Sequence, residues 1–88
     1  MARYRVELTP AAVRDLKKLD RQAQEQLGRA IDGLAGNPRP RGVKALQGNS
    51  SIFRLRSGAY RILYRIEDRE LLILVIRMGH RRDVYRAR

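Results

Sequence analysis

The sequence is short, strongly basic and free of cysteine. Its 88 residues include 20 lysines and arginines against nine aspartates and glutamates, a formal net charge of +11 at pH 7. A chain of this length forms one domain, residues 1–88, and buries only about 60–65% of its unfolded surface. The lack of cysteine excludes disulfides, thiolate metal sites and a cysteine nucleophile. Since no apolar run suits a signal peptide or a membrane span, we expect a soluble, cytoplasmic protein.

The positive charge is concentrated in the second half of the chain. Residues 1–38 carry a net charge of +2, and residues 39–88 carry +9. Seventeen of the 20 cations are arginine, whose planar guanidinium binds phosphate through two hydrogen bonds and stacks on bases. A GC-rich genome would explain the choice of arginine over lysine but not the excess of positive charge. The sequence therefore predicts a nucleic acid as partner, and no amphipathic stripe favours a membrane surface instead.

The first half predicts a strand followed by a helical hairpin. Residues 4–8 alternate between apolar and polar, which is typical of a half-buried strand. Thr9 is a favoured N-cap and Pro10 a favoured first helical residue, so a helix should begin there. Asp20 can cap a second helix that ends at 36–38. Both helices have apolar residues at helical spacing, Ala12, Val13, Leu16 and Leu19 in the first and Ala23, Leu27, Ala30, Ile31 and Leu34 in the second.

The second half predicts an antiparallel sheet with an arginine-rich face. Residues 53–56 and 60–66 alternate, and residues 71–76 are continuously apolar, as in a central strand covered on both faces that ends at 77–79. The alternation directs Phe53, Leu55, Tyr60, Ile62 and Tyr64 toward the helices. It directs four arginines to the opposite face, Arg54, Arg56, Arg61 and Arg65. The expected fold is α+β: an N-terminal strand, an αα-hairpin and a three-stranded antiparallel sheet (βααβββ), with the helices on one face.

Few enzyme mechanisms suit the residues present. One histidine and no cysteine leave no supported Ser-His-Asp or Cys-His arrangement. Glu67, Asp68 and Glu70 are close in sequence, but they alternate with arginine in a predicted turn away from the basic face, which does not favour a metal site. No phosphate-binding glycine motif occurs. We therefore expect neither a metal nor a cofactor.

Cleavage of RNA is the reaction that the remaining residues fit. RNA supplies its own nucleophile, the 2′-hydroxyl, and in-line attack on the adjacent phosphate needs a proton acceptor, a proton donor and cations. Arginine stabilises charge but stays protonated, so the candidate proton carriers are Lys44, His80 and Tyr85. DNA lacks the 2′-hydroxyl, so such chemistry is specific to RNA.

Several segments together carry a resemblance to a known family. They are residues 9–12 (TPAA), 16–19 (LKKL), 37–38 (NP), 44–48 (KALQG), 53–64 (FRLRSGAYRILY) and 79–85 (GHRRDVY). In this order the chain closely resembles the RelE/ParE toxin superfamily over nearly its whole length. The resemblance implies the toxin of a type II toxin–antitoxin system, neutralised by a cognate antitoxin. In the RelE branch such toxins are mRNA interferases, endoribonucleases that cleave mRNA in the ribosomal A site without metal.

The resemblance also implies roles for individual residues. Arg61 matches the arginine that binds the scissile phosphate, Arg81 the one that stabilises charge or acts as acid, and Tyr85 the tyrosine that positions the substrate. These three are the predicted catalytic residues, and the predicted nucleic-acid-binding residues are Lys44, Arg54, Arg56, His80 and Arg82. Ile52 stands where RelE has a lysine that acts as general base. The base is therefore left open between Lys44 and His80, or catalysis relies on the arginines and the tyrosine.

Two other functions remain as alternatives. Ile52 in place of the base favours a ParE-like, non-catalytic toxin that inhibits DNA gyrase. A plain RNA- or DNA-binding module would show steep salt dependence and no cleavage. The expected partners are a RelB-like antitoxin, whose acidic or amphipathic segment covers the basic face, and the ribosome with its mRNA.

Overall fold

Two helices and five strands form the fold in the computed structural model, which describes residues 3–46, 49–80 and 82. The elements are β1 (Arg5–Leu8), α1 (Pro10–Lys17), α2 (Arg21–Gly36), β2 (Lys44–Leu46), β3 (Asn49–Ser57), β4 (Tyr60–Glu67) and β5 (Leu72–His80). The strands form one sheet in the order β1-β5-β4-β3-β2. β1 is parallel to β5, and the other neighbours are antiparallel. Within the described ranges, neither helix is long and apolar enough to cross a membrane.

Both helices begin where the capping residues predict. The Thr9 hydroxyl accepts a hydrogen bond from the Ala12 N–H at 3.1 Å, and the Asp20 carboxylate accepts one from the Ala23 N–H at 2.8 Å. The Thr9 hydroxyl also donates to the Ile76 carbonyl at 2.7 Å, which ties the start of α1 to β5. α1 ends at Lys17, two residues before the predicted end, and α2 ends at Gly36 as predicted.

The core lies between the helices and one face of the sheet. Its buried residues are Ala12, Leu27, Ile31, Leu34, Ile62, Tyr64, Ile66, Ile73, Val75 and Met78. The predicted alternation is confirmed, because Phe53 pairs with Tyr64 on the helix side while Arg56 pairs with Arg61 on the other. We call the side of the sheet away from the helices the open face.

The predicted three-stranded sheet is wrong in strand number. β1 joins the sheet as the parallel neighbour of β5, and the short β2 adds an edge strand beside β3. The pattern of a strand does not specify its partner, so a strand at the N-terminus could not be placed from its alternation alone.

β5 also differs from its prediction. It continues to His80 and is not covered on both faces, since Leu72 and Leu74 are only half-buried while Ile73 and Val75 are fully buried. The pairing of β4 with β5 shifts between Leu63 and Tyr64, so that one extra residue of β5 forms a bulge.

Candidate functional site

Four of the predicted nucleic-acid-contacting cations meet in a shallow depression on the open face. Four cationic side chains and Gly42 line this depression, a cavity of about 160 Å³. We call the four side chains the cation site: Lys44, Arg54, Arg56 and Arg61. Strand pairing explains the cluster, because Lys44 lies opposite Arg54 and Arg56 opposite Arg61. Residues directly opposite on one face have Cβ atoms about 4.5–5.5 Å apart, and like charges so placed repel each other. Such an arrangement favours the binding of an anion.

The cation site is separated from the acidic groups of the sheet. Among the residues that the structure describes, none that lines the depression is acidic. Glu67 is the last residue of β4, six residues or about 20 Å along the strand from Arg61, and Asp68 lies in the turn that follows. Lys44 and Arg56 are exposed, whereas Arg54 and Arg61 are half-buried. The described lining of the depression is therefore positively charged and attracts an approaching phosphate.

The connector between α2 and β2, residues 37–43, brings Lys44 to the open face. The Val43 N–H donates to the Pro40 carbonyl at 3.2 Å and closes a four-residue turn. Gly42 occupies the third position with φ +89°, a conformation that glycine favours and that a type II turn requires there. Val43 packs against the core, so the next residue, Lys44, emerges on the opposite side.

A buried phenol holds the start of this connector. The Tyr64 side chain is fully buried, and its hydroxyl donates to the Pro38 carbonyl at 2.7 Å. Burial raises the pKa of Tyr64 to about 12. The hydroxyl therefore keeps its proton at all physiological pH values and remains a hydrogen-bond donor.

His80 lies apart from the cation site. It is the last residue of β5, opposite Tyr60, with the two rings edge-on and their centroids 6.0 Å apart. Because Tyr60 lies on the helix face, His80 opens into a second depression of about 260 Å³ between α1 and β5. Its Nδ1 accepts a hydrogen bond from the Arg82 N–H at 3.3 Å. The nucleic-acid roles of His80 and of the exposed Arg82 stay predictions.

An ion pair that sequence reasoning missed anchors the wall of the second depression. The Arg77 guanidinium donates to both carboxylate oxygens of Asp15, at 2.7 and 3.0 Å, and the Met78 N–H donates to the same carboxylate at 3.0 Å. Burial acts to raise the pKa of Asp15, but these hydrogen bonds and the charge of Arg77 outweigh it and hold that pKa below its usual value. Two features of the sequence could have indicated this ion pair: an acid on the apolar face of α1 and an arginine that interrupts the apolar run of β5.

Three further residues from the sequence analysis concern catalysis. Arg81 and Tyr85 lie outside the described residues, and their catalytic roles stay predictions. Ile52 is half-buried and pairs with Arg65 on the open face, two residues along β3 from Arg54. The position at which the resemblance to RelE implies a lysine therefore adjoins the cation site. Among the residues that the structure describes, no group of three or more histidines and carboxylates could hold a metal ion.

Comparisons with known proteins agree on one family. The family model described as the ParE toxin of the type II toxin-antitoxin system, parDE, matches residues 6–85. The chain is 36% identical over 84 residues to Toxin RelG of Mycobacterium tuberculosis, covering 94% of this chain and 97% of that protein. It is 31% identical over 87 residues to a putative RelE-like toxin protein of Escherichia coli, covering 94% and 90% of the two chains.

Solved structures give the same result. The toxin–antitoxin complex RelBE2 from M. tuberculosis contains a chain that matches with a TM-score of 0.81 and 33% identity, covering 91% of this chain and all of that one (100%). The intact E. coli RelBE complex matches with a TM-score of 0.75 and 27% identity, covering 90% and 96%. With both the sequence and the fold matched along nearly its whole length, the chain belongs to the RelE/ParE superfamily of type II toxin–antitoxin toxins.

Proposed function

We propose that this protein is a RelE-type toxin that cleaves mRNA in the ribosomal A site, using the 2′-hydroxyl of the RNA as nucleophile and no metal. The observation that carries the proposal is the cation site, in which the sheet register concentrates three arginines and a lysine on one exposed face. The named relatives are Toxin RelG and a putative RelE-like toxin protein, which favours this branch over inhibition of DNA gyrase.

The arginines of the cation site suit the charge that develops during the reaction. When the 2′-oxygen attacks the adjacent phosphorus, the phosphorane gains negative charge on its non-bridging oxygens. Guanidinium groups held by a sheet are preorganised donors for that charge. As the 2′-oxygen–phosphorus bond forms, the bond to the 5′-oxygen breaks, leaving a 2′,3′-cyclic phosphate and a free 5′-hydroxyl.

Lys44, as the neutral amine, is best placed to take the proton of the 2′-hydroxyl. Of the five described residues that line the depression, it alone has a group that can exchange a proton, because glycine has none and arginine stays charged. Lys44 therefore takes the role that Ile52 cannot fill. The 5′-oxygen receives its proton from a donor, for which Arg81 and Tyr85 remain the predicted candidates.

The antitoxin is the second expected partner. The solved relatives include complexes of RelE with RelB antitoxins. On the open face, half-buried Leu63, Leu72 and Leu74 share the surface with the cation site. An acidic amphipathic segment would bury the leucines and neutralise the cations at once, and would thereby exclude mRNA.

Primer extension on a defined mRNA tests the proposal, on programmed ribosomes beside the same RNA without ribosomes. We expect breaks only at A-site codons on ribosomes. Arg61→Ala should lower the cleavage rate by about a hundredfold or more. Arg61→Lys keeps the charge but loses the paired donors, so its cleavage rate should lie between those of Arg61→Ala and the unmodified protein. Arg29→Ala, a substitution at an exposed position of α2 that removes the same charge, should cleave normally.

Two outcomes would contradict the proposal. Full cleavage by both Arg61→Ala and Lys44→Ala would exclude the cation site as the reactive centre. Absence of cleavage by the unmodified protein, together with inhibition of gyrase supercoiling, would assign the chain to the ParE branch instead.

A further inference from the structure

The side chain of Asp68 connects three segments that are distant in sequence. The Tyr4 hydroxyl, just before β1, donates to its Oδ1 at 2.6 Å. The Arg39 guanidinium, in the connector, donates to Oδ1 at 3.3 Å and to Oδ2 at 2.9 Å. Asp68 itself lies in the turn between β4 and β5. We call Tyr4, Arg39 and Asp68 the connector latch.

The latch continues into the aromatic packing beneath the connector. The Arg39 guanidinium lies 5.4 Å from the centre of the Phe53 ring, a distance at which a cation is attracted to the ring face. Phe53 stacks on Tyr64, with ring centroids 6.0 Å apart, and Tyr64 in turn holds the Pro38 carbonyl. Two successive connector residues are therefore fixed, one by a buried phenol and one by an exposed carboxylate.

The placement of Lys44 depends on this connector. β2 is an edge strand of three residues, paired only with β3 and with a register shift after Ala45. So short a strand forms few hydrogen bonds, and the segment that leads into it must help to fix its position. Ala45 pairs with Phe53, the ring that Arg39 covers. The latch thus acts one residue away from Lys44, on the other face of the sheet.

We propose that the connector latch positions Lys44 within the cation site. The proposal deepens the proposed function and rests on it, since it concerns the placement of the group that exchanges a proton with RNA. Tyr4, Arg39 and Asp68 do not line the depression and are positioning residues. They act through the backbone of residues 38–44.

A change at Asp68 separates positioning from simple electrostatics. Asp68→Asn removes a negative charge, so electrostatics alone would strengthen RNA binding. Loss of the charged acceptor weakens the hold on Arg39, so positioning predicts weaker binding. Arg39→Gln should weaken binding as well, and the two matched controls come from an exposed ion pair in β1: Glu7→Gln for the acid and Arg5→Gln for the base.

The experiment measures the affinity for a fluorescent single-stranded oligouridylate of about twelve nucleotides, with each variant made in the full-length protein and again with Lys44→Ala. We expect the affinities of Asp68→Asn and Arg39→Gln to be at least about threefold weaker than those of their respective controls, because residues in one network are energetically coupled. When Lys44→Ala is also present, the affinity of each variant should equal that of its control with the same Lys44→Ala change. Thermal unfolding of every variant verifies that it is folded.

Amide hydrogen exchange of β2 gives a second reading that needs no RNA. Exchange at residues 44–46 should rise in Asp68→Asn and Arg39→Gln but not in Glu7→Gln. Additive effects on affinity, or unchanged exchange in β2, would overturn the latch while leaving the cation site intact. If Lys44→Ala does not alter affinity, the proposed RNA site fails, and the exchange data alone decide whether the latch holds β2.

Discussion

The ion pair between α1 and β5 gives a quantitative prediction for Asp15→Asn. The Asp15 side chain is 11% exposed and accepts three hydrogen bonds, two from Arg77 and one from the Met78 N–H. An asparagine retains one acceptor oxygen but turns an amide donor toward the guanidinium. Breaking a buried pair costs about 3–5 kcal/mol, and the 27% exposure of Arg77 lowers the expected loss to roughly 2–3 kcal/mol.

Thermal unfolding followed by circular dichroism measures this loss. For a domain of this size, 1 kcal/mol corresponds to roughly 4–8 °C, so we expect Tm to fall by about 10–20 °C. The pKa of Asp15 lies below its usual value, so its stabilising contribution is complete above the unfolded pKa of about 4 and is lost as pH falls through the folded pKa. The difference between wild type and Asp15→Asn should therefore be full at pH 7 and should narrow below about pH 4.

Asp32→Asn is the matched control. Asp32 is also a helical aspartate paired with an arginine, but its side chain is 85% exposed and lies 3.8 Å from Arg3. An exposed pair of this kind contributes at most about 1 kcal/mol. Equal losses of Tm in the two variants, or a difference that persists undiminished at low pH, would refute the assignment of Asp15–Arg77 as the stabilising contact.

Three other changes have defined outcomes. Arg56→Ala should reduce the slope of log affinity against log salt for single-stranded RNA by about 0.7, the contribution of one phosphate contact, and Arg29→Ala should leave that slope unchanged. Gly42→Ala should destabilise the fold by about 1–2 kcal/mol, because its φ is +89°, although a Cβ there meets no atom within 4 Å; an unchanged Tm would contradict the turn geometry. Leu71→Asn should stabilise by about 0.5–1 kcal/mol in urea unfolding, because Leu71 is exposed and has φ 50°, which asparagine tolerates better.

Local chemistry explains which parts of the fold could be predicted. The caps at Thr9 and Asp20 act within three residues, so the helix starts were fixed by sequence. The alternation of apolar and polar residues in β3 and β4 likewise predicted correctly on which face of the sheet each side chain lies. Pairing of β1 with β5 joins Arg5 to Leu72, and no local pattern encodes a partner so distant. The same holds for β2, a strand of three residues that exists only beside β3.

In the candidate site, too, local patterns predicted some features, and long-range pairing set the others. Alternation placed Arg54, Arg56 and Arg61 on one face, and the structure adds Lys44 through an edge pairing. His80 was grouped with them as a candidate proton carrier next to Arg81 in the sequence, but β5 extends through it and its parity places it on the helix face. The tertiary ion pairs could not be predicted either, because their partners are far apart in the sequence: Arg39 and Asp68 are separated by 29 residues.

The distribution of carboxylates connects the stability of the fold to its function. Arg39 and Arg77 each have a carboxylate partner and serve to hold the connector and β5 in place. The described residues that line the cation site include no acidic one, and an anion from another molecule would relieve the repulsion among its four cations. A ligand that binds only the folded protein and relieves this repulsion stabilises the fold. Both partners proposed for the toxin, the phosphates of mRNA and an acidic antitoxin segment, would supply that charge at the same surface, so that binding of one would exclude the other.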